Sequence, residues 1–194
     1  MSSTANISPP RPTRRPIVAA TLAVACAFSL APLSAARADR ASLISDARHA
    51  LNRLQASDPR AARLASRARA ILVFPSVLKA GFVFGGETGN GVLFVGGRPD
   101  GVYNMSGGSW GLQIGGQDFS YALFFMSRGS LRYLHQSGGF SAGTLPSIVV
   151  VNKGAAADVD TTTVTHDVYA FPFNQKGLMA NLTLEGTKIT RIHG

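Results

Sequence analysis

Thirteen of the 21 glycines in this 194-residue chain fall between Gly81 and Gly116. Glycine costs roughly 1 kcal/mol relative to alanine inside a helix, so no helix runs through such a region. Short apolar runs lie between the glycines: "GFVFGG", "GVLFVGG", "GVYNMS" and "SWGLQIGGQ". Turn signals that recur about every ten residues predict short strands in an antiparallel sheet or barrel. The stretch Gly81–Gly97 alone holds seven glycines and raises the question of a phosphate loop. A P-loop needs a lysine to reach the phosphates, and none stands here; "GGETGNG" also reverses the glycine order of a dinucleotide fingerprint. Asn90-Gly91 is a favoured pair for a tight hairpin turn. The reading is therefore two strands, 81–86 and 91–97, with Gly85, Gly86, Gly96 and Gly97 bending the sheet.

Upstream the pattern changes. Residues 40–70 contain no glycine, and Leu43, Ala47, Leu51 and Leu54 recur at helical spacing on one face. Asp39 or Ser42 can cap the start. Asp58 suits an N-cap and Pro59 the first helical position, which predicts helices over 41–56 and 59–70. "ILVF" (Ile71–Phe74) reads as a buried strand stopped by Pro75. Downstream, Asp118–Met126 is a strand, a helix capped by Ser127 spans about 128–137, and "PSIVVVNK", "THDVYAFPF", "GLMANLTLEG" and "TKITRI" are four further strands. Glu185-Gly186 signals a hairpin turn.

Apolar residues make up 45% of the chain and charged residues 15%, the composition of one folded domain rather than a disordered chain. Before that domain, "RPTRRP" is basic, "IVAATLAVACAFSLAPLSA" is apolar, and Ala36-Arg37-Ala38 is a small-residue cleavage site. This order is that of a secretory signal peptide over residues 1–38, with a domain over 39–194 exported to the periplasm or the envelope membrane surface. Arg14-Arg15 leaves both the twin-arginine and the general secretory route open. The only cysteine, Cys26, ends "AVAC", which loosely matches a lipoprotein box with Ala23 in place of leucine; acylation there is the alternative N-terminus. With cleavage after Ala38 the mature chain has no cysteine, hence no disulfide or thiolate site.

Reaction chemistry finds no anchor. There is no H-E-x-x-H pair, cysteine cluster or EF-hand loop, so no catalytic residues, metal or cofactor are assigned. Asp158–Thr163 ("DVDTTT") reads as a capped turn and strand start, with a site around Asp160, Thr161 and His166 as the enzymatic alternative. Glu87 and Glu185 both fall in turns, with no second carboxylate beside them. Nucleic acid is an unsuitable partner: the phenylalanines are not interleaved with basic residues as a stacking platform requires.

One charge pattern stands out. Arg60, Arg63 and Arg67 fall within roughly 60° of arc on the second helix, beside Ala61, Leu64, Ala68 and Ile71. A basic edge along an apolar face suits an interfacial helix on anionic lipid, because arginine stems cover apolar surface while guanidiniums reach phosphates. The alternative is the solvated face of a docked helix.

Several stretches resemble the SYLF domain family: "ASRARAILVFPSVLKAGFVFGGETGNGVLFVGG", "SWGLQIGGQ", "DVDTTT" and "NQKGLMANLTLEGTKITRI", covering about residues 40–192. The resemblance implies a lipid-binding domain without an established reaction, exported in bacteria. It also implies that membrane contact comes from the segment before Pro75, with Lys79 and Arg53 as further contacts. Ala70 stands where the family commonly has glycine, so the second helix is expected to run longer. The chain is thus read as one α+β domain, N-terminal helices packed on a glycine-rich, strongly curved antiparallel sheet. Its expected function is non-enzymatic binding of anionic lipid through Arg60, Arg63 and Arg67, or else a protein-interaction role in the envelope.

Overall fold

A computed structural model describes residues 31–81, 84–110, 115–136, 139–141, 148–151, 166–176, 184 and 186–192. The chain divides into Met1–Ala36 and Arg37–Gly194, and the packing below lies within the second unit. Cys26 and Asp158–Thr163 lie outside the described residues, as do most of the signal-like segment and most of "GLMANLTLEG". The expected cleavage site falls inside the first helix.

The fold is α+β. Three helices, α1 (Ala31–Ser57), α2 (Pro59–Arg67) and α3 (Arg128–Leu134), accompany eight strands: β1 (Ala70–Gly81), β2 (Phe84–Val95), β3 (Arg98–Trp110), β4 (Gly115–Phe125), β5 (Phe140–Ser141), β6 (Ile148–Val150), β7 (Val168–Lys176) and β8 (Thr187–Ile192). They form one sheet in the order β5-β8-β3-β2-β1-β4-β7-β6, strongly curved into a half-barrel. All described pairings are antiparallel except β6 with β7, which makes the sheet mixed.

The first strand sits at the middle of the sheet and is buried on both faces. Alternation sends Ala70, Leu72 and Phe74 to the concave side, with Leu93, Tyr103, Tyr121, Leu123 and Leu134. It sends Ile71 and Val73 to the convex side, where Ala47, Ala50 and Leu54 of α1 and Ala61 and Leu64 of α2 cover them. That is why "ILVF" and "YALFF" are uninterrupted apolar runs rather than alternating ones.

Three expectations are corrected. Pro75 does not stop β1. The strand continues to Gly81 through an irregularity at Pro75-Ser76, where the register shifts against both neighbours. Proline cannot donate to a ladder but is accepted at a bulge, and the buried Ser120 hydroxyl donates to the Pro75 carbonyl at 2.7 Å. Asn90-Gly91 is not a turn. Both residues lie within β2, paired with Asn104 and Tyr103. The bulged stretch of β1 passes so close that a Cβ on Gly91 would lie 2.5 Å from the Phe74 ring, and one on Gly89 would lie 2.6 Å from the Ser76 carbonyl oxygen. The turn is instead at Gly96-Gly97, whose φ angles of +56° and +77° give the left-handed pair that a two-residue hairpin between Val95 and Arg98 requires. Finally, α2 does not lengthen through Ala70, which already belongs to β1; the helix ends at Arg67.

Candidate anion-binding face

The N-terminus of α2 is built as the sequence suggests. Asp58 adopts extended backbone and accepts from the Arg60 backbone N–H at 2.9 Å, with Pro59 opening the helix. A nine-residue helix is too short to persist alone in water, so its existence rests on docking. Ala61 and Leu64 supply that docking against the convex face. Full burial of the leucine is worth about 1.5–3 kcal/mol.

The three arginines of the stripe are not equivalent. The Arg60 guanidinium folds back on the cap: its Nε donates to Asp58 Oδ1 at 3.1 Å and its Nη2 to Oδ2 at 2.8 Å. This fork holds the Asp58 carboxyl below its usual range and raises Arg60 above its own. Arg63 and Arg67 are exposed on the outer side of the helix. Arg53 is exposed on α1 and lines a separate cleft of about 430 Å³ with Asp46, His49, Ser76 and Asn90. The structure does not bring Lys79 to this face. It follows Val77 on the concave side of the sheet and is buried. Glu87 likewise is no turn residue: it lies within β2, opposite Lys79.

On the other flank of α2 lies a groove that sequence periodicity did not disclose. It encloses about 590 Å³ between α1, α2, the start of β1 and the Gly96-Gly97 turn. Leu51, Ala65, Ile71 and Phe94 contribute apolar walls, and Arg48 and Arg69 contribute the charge; no carboxylate lines it. The Arg48 guanidinium lies 5.4 Å from the centre of the Phe94 ring, a cation–π contact that fixes it over the floor. Arg69 is tied by its backbone N–H to the Phe125 carbonyl at 2.9 Å. The signal for both was available only in part: Arg48 shares a helix face with Asn52 and Gln55, but its partner Arg69 sits beyond the helix end, where periodicity gives no guide. Around α2 the outer surface therefore presents Arg63 and Arg67 on one flank and Arg48 and Arg69 on the other. The arrangement can attract anions and cover an apolar stem. It offers no nucleophile beside a base. Among the described residues no group of histidine, cysteine and carboxylates could hold a metal, and no helix is long and apolar enough to cross a membrane.

Comparison with known proteins places the C-terminal part of the chain. Residues 106–193 match the family described as Ysc84, Las17-binding protein actin regulator. Protein YSC84 of Saccharomyces cerevisiae is 29% identical over 131 residues, which cover 63% of this chain and 28% of the yeast protein. The chain thus matches little more than a quarter of that relative's length.

Proposed function

Because the chain belongs to the SYLF-domain family, a family of binding and regulatory domains, we propose that it binds anionic lipid headgroups at a bacterial envelope membrane and catalyses no reaction on them. The observation that carries this reading is the acid-free groove beside α2, with Arg48 and Arg69 above an apolar floor and exposed Arg63 and Arg67 across the helix. Each cation near an anionic surface contributes about 1 kcal/mol, so four acting together are enough for reversible membrane attachment. The contact is interfacial: α2 stays docked through Ala61 and Leu64 while its outer flanks meet phosphates. Export, with residues 1–38 as the signal peptide, brings the domain to such a surface; acylation at Cys26, the alternative processing, would instead keep residues 26–38 and anchor the chain there.

The name of the matched family supports a second reading, in which the same basic face receives an acidic segment of a partner protein. Co-sedimentation of the full chain with vesicles separates the two. The lipid reading expects binding to phosphatidylglycerol vesicles, little to phosphatidylcholine, and release by high salt. Binding that ignores lipid charge would overturn the electrostatic mechanism; absence of binding to either vesicle would favour the protein partner.

A further inference from the structure

The groove beside α2 has two kinds of lining, and an anion alone uses only one of them. Leu51 stands on its α1 wall and Ala65 and Ala68 on its α2 side, around about 590 Å³ of space. All three are only half-buried against the convex core. The volume lies within the roughly 300–1,000 Å³ of small-molecule sites. Its origin is in the residue types: α2 turns alanines 62 and 65 toward the groove, and Ala68 follows them, so that wall is low. Ile71 and Phe94 close the floor. The end at Gly96-Gly97 is open, since a Cβ on either glycine would meet nothing within 4 Å.

Arg48 and Arg69 supply the second kind. Among the described residues neither guanidinium has an ion-pair partner within 4.0 Å. Arg48 is placed by the Phe94 ring rather than by an acid. A small inorganic anion here would meet the two cations and leave Leu51, Ala65 and Ala68 wet. A neutral apolar molecule would cover those walls and leave the cations unanswered. A cationic head would be repelled. A molecule with an anionic head and an apolar chain answers both linings at once. A flat bilayer surface cannot line a groove, whereas a single chain can enter it.

We infer that the groove holds one alkyl chain of an anionic amphiphile, its phosphate or carboxylate head at Arg48 and Arg69 and its chain along Leu51, Ala65 and Ala68. This rests on the reading of the same face as an anion-binding surface, and adds to it a site that takes one molecule per protein chain. The electrostatic contact through Arg63 and Arg67 attracts a surface; the groove selects within it, by head charge and by a chain free to leave its neighbours. The same chemistry is offered by a free single-chain amphiphile and by a lipid that lifts one chain from its membrane.

The test is titration of the isotope-labelled full chain with hexyl, octyl and decyl phosphate below their micelle-forming concentrations, followed by amide NMR. Inorganic phosphate, octyl glucoside and octyltrimethylammonium are the comparators. Octyl phosphate should give saturable shifts at Arg48, Leu51, Ala65 and Arg69. Affinity should rise about two- to fourfold for each added methylene, and each comparator should bind at least about tenfold more weakly than octyl phosphate. Ala65→Phe fills the groove and should flatten the chain-length series; should that variant not fold, Ala62→Trp, at an exposed position on the same lining, makes the comparison. A series without slope, a comparator that binds as well as octyl phosphate, or a slope that survives the filled groove overturns the inference. Hexaglutamate that gives the same shifts more tightly than octyl phosphate overturns it in favour of an acidic protein segment. Phosphatidylglycerol vesicles separate the site from the reading it rests on: vesicles bound with no chain-length slope overturn the groove site alone, and binding of neither vesicles nor alkyl phosphates overturns both. Where the slope is found, vesicles that displace octyl phosphate give the site to a membrane lipid, and vesicles that leave it in place give it to a free amphiphile.

Discussion

Asp58 holds Arg60 through both carboxylate oxygens while also capping α2, the helix in whose first turn Arg60 lies. One carboxylate therefore starts α2 and withdraws one of its three stripe arginines from the anion-binding face.

Removing that carboxylate should loosen the helix. Asp58→Ala is expected to cost about 1 kcal/mol, the usual worth of an N-cap. Asp58→Asn should recover part of it by keeping a capping oxygen. Urea denaturation of the full chain, following circular dichroism, reads both.

The same pair sets a pH dependence. Hydrogen bonding from Arg60 lowers the Asp58 pKa in the folded state. A depressed carboxyl contributes stability that is fully present above its unfolded value, about 3.9, and is lost as pH falls through the lower folded value. The Asp58 contribution should therefore be constant from neutral pH to about 5 and fade below 4. A difference in stability between wild type and Asp58→Asn that stayed constant below pH 4 would contradict it.

The arginines should separate by role in membrane binding. Neutralising Arg63 and Arg67 together to glutamine should cost about 2 kcal/mol, roughly thirtyfold in partitioning onto phosphatidylglycerol vesicles at low salt. Arg48→Gln with Arg69→Gln should cost a similar amount. Arg60→Gln should alter stability more than binding, because its guanidinium is engaged by Asp58. Equal losses of binding for all five substitutions would show that only net charge matters.

Gly91 should resist any side chain. A Cβ there would meet the Phe74 ring at 2.5 Å and the Val73 carbonyl oxygen at 2.7 Å, and the latter is backbone that cannot swing aside. Gly91→Ala is expected to cost at least about 2–3 kcal/mol from overpacking. Gly97→Ala, with open space but a φ of +77°, should cost about 1–2 kcal/mol from backbone strain alone. Unfolding midpoints in guanidinium chloride give the comparison.

Thr187→Val would leave the buried Glu87 carboxylate without its 2.6 Å donor. A hydrogen bond to a charged group is worth about 1.5–3 kcal/mol. Thr187→Ser should retain most of that stability, and a Thr187→Val loss that persisted in a Glu87→Gln background would deny the coupling.

Local signals placed the starts of α2 and α3 but failed at α1, which begins at Ala31 so that the expected caps Asp39 and Ser42 lie inside it, and at the sheet's long-range contacts. Asp58-Pro59 opened α2 because a cap and a fixed φ act within a few residues. Ser127 opened α3 in the same way, accepting from the Ser130 N–H at 3.1 Å. Asn90-Gly91 misled because it has the composition of a turn, whereas its glycine answers to Phe74 and Val73 on the neighbouring strand. No local pattern records that contact. Pro75 misled in parallel: its missing donor is tolerated because the strand bulges there, and the carbonyl that the bulge frees is served by Ser120, 45 residues on. At the candidate face, the sequence displayed Arg60, Arg63 and Arg67 together but not the Asp58 fork that divides them. Lys79 followed from family resemblance rather than geometry, and strand parity turned it to the concave side.

The place of β1 and β2 within the sheet has a consequence for inheritance. The segment that matches the family, residues 106–193, begins within β3 and carries β4 to β8. The two strands between β3 and β4 lie outside it. Passed on or excised alone, the segment would separate into two fragments of sheet facing a gap, with β3 and β4 each exposing an inner edge. What can be duplicated, swapped or fused without opening the sheet is therefore a longer span, one that keeps β1 and β2 together with the helices that cover them.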